Sequence, residues 1–163
     1  MKHNPIYWLI YALVFITVNS AQAENKGTPF VDDSKSFLEI KDINRQAEAW
    51  AMCAATYDAM AELLSQEQPA RSQQINDLAN GAEMAFTMSM VTDGLDTDIT
   101  PERFNSLWKM AQVAGTELPE TRRTMLLAEM ESSKTKEQAG IFLSNLSATF
   151  EVCVKNLNGQ QMY

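Results

Sequence analysis

The chain has 163 residues, with 21 Asp and Glu against 13 Lys and Arg and a net charge of -8. An acidic chain of this kind is repelled by nucleic acid and by anionic lipid surfaces, which favours basic partners if the partners are polar. The one histidine, His3, falls in a segment expected to be removed. That excludes Ser-His and Cys-His catalysis and the usual zinc-water sites from the remainder.

Lys2 and His3 give a short positive start, residues 6–18 are an unbroken apolar run, and Asn19-Ser20-Ala21-Gln22-Ala23 ends in a small-x-small pattern. Together they predict a secretory signal peptide over residues 1–23 with cleavage after Ala23. The rival reading is a membrane anchor, but the run falls short of the roughly 20 apolar residues that span a bilayer. No stable membrane insertion is expected after cleavage, and the mature chain is read as periplasmic or secreted.

Residues 24–35 are rich in Lys, Gly, Thr, Pro and Asp and read as an extended, flexible leader. The domain proper is expected over 36–159, with a short tail at 160–163. Ser36-Phe37-Leu38-Glu39 has the form of a capping box, so the first helix starts there or after Asp42. It is expected to run to about Gln66 and to stop before Pro69. Its inner stripe, Trp50, Cys53, Tyr57, Met60 and Leu64, repeats at three and four residues. Ala47, Ala51, Ala54 and Ala61 thicken that stripe and allow a close neighbour. This helix is read as the buried centre of the fold.

Pro69 opens a second helix whose stripe is Ile75, Ala79, Ala82, Phe86 and Met90. Gly81 within it predicts either a close contact or a kink, since glycine costs about 1 kcal/mol in a helix. Residues 93–98 break the pattern and form a loop. Thr100 then caps a third helix with Pro101 in its first turn, and Phe104, Leu107, Trp108, Ala111 and Ala114 on its inner face. Gly115 fits its end. A restart around Pro119 leaves two possibilities for 116–133, a separate helix or a kinked continuation. Thr135-Lys136-Glu137-Gln138 is a second capping box. It opens a last helix with Phe142, Leu146, Phe150, Cys153 and Leu157 on one face and Asn158-Gly159 as its stop. No stretch alternates in the manner of a strand. The prediction is an all-α, single-domain bundle of four to five amphipathic helices.

The two cysteines, Cys53 and Cys153, lie mid-stripe on the first and last of these helices. In an exported chain with no third cysteine they are expected to form a disulfide that joins those helices. Other chemistry is weighed against plainer readings. Glu48, Asp58, Glu62 and Glu83 would suit a carboxylate-pair enzyme acting on envelope glycans, or simply a solvated helix surface. Met84 and Met88, one helical turn apart, with Met52, Met60, Met90 and Met110 nearby, would suit a thioether Cu(I) carrier, or simply core filling. Asp93, Asp96 and Asp98 with Glu102 do not match an EF-hand: counting from Asp96 puts Pro101 where the turn glycine belongs. Trp50, Tyr57, Phe104, Trp108, Phe142 and Phe150 would line a small apolar pocket or, more simply, fill the core.

With no catalytic, metal or cofactor signature, the chain reads as an exported, non-catalytic binding protein of the cell envelope. An inhibitor, an immunity-type protein and an accessory chaperone all fit. Its expected partner is another envelope protein, with basic ones favoured. The loop acids Asp93, Asp96 and Asp98 are the expected contact, because loops carry binding more often than packed stripes do.

Overall fold

The computed structural model describes residues 27–95 and 99–160. Within them a short 3₁₀ turn, Phe37–Glu39, precedes four α-helices: α1 (Ile43–Leu64), α2 (Pro69–Asp93), α3 (Pro101–Ser132) and α4 (Lys136–Gln160). The described residues contain no strand, so the all-α bundle expected from periodicity is the observed architecture. No helix among them is long and apolar enough to cross a membrane. The expected signal peptide and the last three residues lie outside the described residues.

The helix α1 is the centre. It packs against α2, α3, α4 and the 3₁₀ turn, most extensively against α2. Trp50, Cys53, Ala54 and Tyr57 are fully buried along it. Its start is set by Asp42, whose carboxylate accepts from the amides of Asn44 and Arg45 at 3.0 and 3.3 Å. Such a cap is worth about 1 kcal/mol. Ser36 makes no side-chain cap and precedes only the 3₁₀ turn. Ser72 on α2 donates to the Ala61 carbonyl of α1 at 2.8 Å, which fixes the α1–α2 corner.

Gly81 lies inside a continuous α2. Its side faces α4, where an added Cβ would sit 3.2 Å from Cδ2 of Leu157, so the glycine marks a close approach.

The sequence leaves open how residues 116–133 are built. They belong to one continuous helix, α3, with Pro119 inside it. Gly115, expected as a helix end, is buried instead where α3 crosses α2. An added Cβ would stand 2.7 Å from Oγ1 of Thr87 and 3.3 Å from Phe86. Proline at 119 removes the amide that would bond the carbonyl four residues back, which is Gly115's. The packing of Gly115, Pro119 and Leu126, all buried, holds the helix through that defect.

The adjacent Arg122 and Arg123 reach Glu48 and Glu62 on α1. Those glutamates are fourteen residues apart, about 21 Å along a helix at 1.5 Å per residue. Two neighbouring arginines reach so far apart only if α3 crosses α1 steeply. The bridges are exposed, so each contributes a fraction of a kcal/mol and they register the crossing more than they stabilise it.

The helix α4 opens as a capping box: Oγ1 of Thr135 accepts from the Gln138 amide, and the Gln138 side chain accepts from the Lys134 amide. A disulfide joins Cys53 of α1 to Cys153 of α4, with the Cα atoms 5.5 Å apart. The expected pairing of first and last helices is therefore observed. A second cluster, Ala55, Leu126, Phe142 and Leu146, closes α1, α3 and α4 over one another.

Residues 27–35, the described part of the leader expected over 24–35, are instead docked along α4. The Thr28 amide donates to Asn145 and the Phe30 amide to Oγ1 of Thr149, both at 2.8 Å. The Phe37 amide donates to Oδ1 of Asn156, and the Phe37 carbonyl accepts from Gln46 of α1. Phe37 is fully buried, edge-on to Trp50 with ring centroids 4.9 Å apart. At Gly27 an added Cβ would run into the α4 backbone at Ser144 and Asn145, so only glycine lets the strap lie this close. The physical reason for the docking is burial: Val31 and Phe37 leave water, and the strap amides find side-chain acceptors on α4.

Candidate functional site

The docked strap creates a groove that the chain pattern alone does not reveal. It holds about 630 Å³ between the strap, the 3₁₀ turn, the N-terminal half of α1 and Arg122 of α3. That volume lies within the range of small-molecule and peptide sites. Phe30, Val31, Ile40, Ala49 and Met52 supply its apolar lining. Lys35, Lys41, Arg45 and Arg122 stand around it together with Asp32, Glu39, Asp42 and Glu48.

Most of the acids are already engaged. Asp42 caps α1. Glu48 bonds Arg122 at 2.8 Å. Asp32 accepts from the Ser34 amide at 2.9 Å. The Ser34 hydrogen bonds, helped by Lys35 and Arg45, hold the Asp32 carboxyl below its ordinary value. Among the described residues the side chains of Lys35, Lys41 and Arg45 make no ion pair or hydrogen bond. The Nε of Arg122 is buried with no hydrogen-bond partner.

Of the residues singled out in the sequence, Glu48 and Met52 border this groove. Asp93 ends α2 and is exposed, away from the groove lining. Asp96 and Asp98 lie outside the described residues. The methionines do not converge as a set. Met84 and Met88 are about half exposed on α2 and Met110 is exposed on α3, whereas Met52, Met60 and Met90 pack against the core. Tyr57 meets Phe150 edge-on at 5.2 Å inside the fold, whereas Phe104, expected on the inner face of its helix, is exposed and stacks on half-buried Trp108 at 6.3 Å. The Trp50 Nε1 and the Tyr57 hydroxyl are buried without hydrogen-bond partners, and burial pushes the Tyr57 hydroxyl pKa up. Among the described residues no three His, Cys, Asp or Glu side chains gather where a metal ion could be held.

Asp58 and Glu83 form the other electrostatic feature, between α1 and α2 beside Glu120 and Arg123 of α3. Burial raises the Asp58 pKa, Arg123 opposes the rise and Glu120 adds to it. Burial raises Glu83 too, and the Asp58 charge adds to it. Neither lines the groove.

Its consequence is for stability. A carboxyl whose folded pKa is raised keeps a proton that the unfolded chain releases from about pH 4 upward. In that window the folded state binds more protons, so stability falls as pH rises and levels off above the raised values. Asp58→Asn is expected to flatten this fall and to leave stability at neutral pH equal or higher. Urea midpoints across the acid-to-neutral range check it. A lower midpoint at neutral pH would mean that the Asp58 charge is held for Arg123.

No family model, no curated protein and no solved structure matches this chain. The functional reading rests on the groove and on the chemistry of its free groups. Sequence reasoning passed over Lys35, Lys41, Arg45 and the apolar residues Phe30, Val31 and Ile40. Two signals were present: an aromatic-aliphatic pair inside a supposedly mobile leader, and three cations within eleven residues of an acidic chain.

Proposed function

We propose that the chain is exported to the cell envelope and acts there without catalysis, by binding another protein in an inhibitory, immunity-type or accessory-chaperone role. The observation that carries this reading is the groove: an apolar floor under uncommitted charges, built by an ordered strap and a capped helix start. Such a lining supports a recognition role. It holds no nucleophile with a base, and the two carboxyls whose pKa burial raises, Asp58 and Glu83, do not line it. The buried disulfide between α1 and α4 suits an oxidising compartment, which supports export.

Two measurements test the reading together. Mass spectrometry of the exported protein is expected to find Glu24 at the N-terminus. Retention of residues 1–23 in a membrane fraction would sink the export reading. Tagged mature protein is expected to capture one stoichiometric envelope protein, and Lys35→Glu, Lys41→Glu and Arg45→Glu together should abolish that capture. Capture that survives this change but is lost when Asp93, Asp96 and Asp98 become asparagine moves the site to the loop. No stoichiometric partner at all defeats the reading.

A further inference from the structure

The strap is held in three different ways along its length. Residues 27–31 lie on α4: the Thr28 amide donates to Oδ1 of Asn145, the Phe30 amide to Oγ1 of Thr149, and the Phe30 ring meets Phe142 at 5.9 Å. Residues 32–36 are all exposed. Their hydrogen bonds are local, from the Ser34 amide to Asp32 and from the Glu39 amide to the Ser36 carbonyl. None of the five is hydrogen-bonded or ion-paired to a helix of the bundle. Phe37 is then fixed from two sides, by Asn156 of α4 and by Gln46 and Trp50 of α1.

We propose that residues 27–31 are a latch: they leave α4 and return as one unit, turning about 32–36, while Phe37 and the bundle stay in place. Phe30 and Val31 line the groove, so the groove has two states, one with that wall and one without it. The latch belongs to the fold and holds whatever the groove binds.

The balance of holds points to this. Segments that open on their own have few buried apolar contacts and backbone bonds close to solvent. Within 27–31 only Val31 is buried, Thr28 is exposed, and Gly27, Pro29 and Phe30 are half-buried. Release returns backbone freedom to residues 27–36, and the five exposed ones supply the rotations. The face left behind stays intact, because the Thr149 hydroxyl also donates to the Asn145 carbonyl within α4. Phe37 has the opposite balance. Its release would uncover a fully buried ring and leave the buried Gln46 amide without its acceptor, so opening stops at the hinge. Gly27 is the catch. An added Cβ there would run into the α4 backbone at Ser144 and Asn145, so one methyl group is enough to hold the latch off.

Amide hydrogen exchange of the disulfide-bonded protein, followed by NMR in rising urea below the unfolding range, is the test. Thr28 and Phe30 are expected to be protected about 100-fold less than Phe37 and to respond little to urea, because a local opening exposes little surface. Phe37 should follow the steep urea dependence of global unfolding. Equal protection and equal urea dependence at all three amides overturn the latch, since the strap then opens only with the core.

Two variants test the unit and the catch. Asn145→Ala removes the acceptor of the Thr28 amide alone, yet it is expected to speed exchange about tenfold at Phe30 as well. A rise confined to Thr28 overturns the proposal, because the bonds would then break singly. Gly27→Ala is expected to speed exchange at both amides about tenfold or more, with Phe37 protection and the urea midpoint unchanged. Loss of Phe37 protection in step with the other two would show that arm and anchor open together and overturns the hinge. No change at Thr28 and Phe30 in either variant overturns the latch outright. The comparison within the unaltered protein depends on neither variant.

Discussion

Replacing both Cys53 and Cys153 by alanine is expected to lower stability by about 4 kcal/mol. The bridge closes a loop with a sequence separation of 100. For a loop of that length the chain-entropy model gives about 4.7 kcal/mol, a ceiling that real bridges often miss. The fold makes a large value plausible on separate grounds. The helix α4 meets α1 and α2 over much less surface than α1 and α2 share with each other. A covalent tie matters most where packing is thinnest. Alanine is the right substitution, since serine would bury two hydroxyls without assured partners.

Urea unfolding with and without reductant is the measurement. Both cysteines are fully buried, so reductant reaches the bridge only through unfolding. Reduced wild type and the double variant should then share one midpoint. A loss under about 1 kcal/mol would show that packing alone holds α4 in place.

The helices were legible where one periodic signal dominated. The three-four stripe from Trp50 to Leu64 predicts a buried α1, and Trp50, Cys53 and Tyr57 are fully buried. The disulfide was legible because both cysteines sit mid-stripe in a chain whose start reads as an export signal. Gly115 was misread because a glycine at a helix end and a glycine at a helix crossing leave the same mark in a sequence. The distinction lies in Thr87 and Phe86, which are distant in the chain. The strap was misread for a related reason. Its composition resembles a leader, and what holds it is a polar stripe on α4: Asn145, Thr149 and Asn156. Those three stand four and seven residues apart on one helical face. A polar row beside an apolar one reads as solvated surface until something is seen to lie on it. The groove followed the strap out of sight, because its walls exist only once residues 30–41 fold back over α1.

That dependence makes Phe37 the residue on which fold and site meet. Phe37→Ala is expected to cost about 3–5 kcal/mol, the usual loss for a buried phenylalanine. The ring is fully buried and edge-on to Trp50. Its amide and carbonyl are held by Asn156 and Gln46, so the side chain is the apolar anchor of a turn whose polar groups are already satisfied. Removing the ring leaves a cavity against Trp50, and the strap can relieve that cavity by lifting away. Lifting would expose the amides of Thr28, Phe30 and Phe37 and dissolve the groove wall made by Val31 and Ile40.

The variant should therefore lose stability in urea and show faster hydrogen exchange at the Phe30 and Phe37 amides. It should also lose partner capture, although Phe37 does not itself line the groove. Phe37→Leu, which keeps most of the volume, should cost less than about 1.5 kcal/mol and preserve binding. If Phe37→Ala left stability within about 0.5 kcal/mol of the original, the strap would be an accessory to the bundle and not a part of its core. Unchanged exchange at the strap amides in a destabilised variant would place the loss in the Trp50 packing alone, with the wall of the groove still standing on its hydrogen bonds to α4.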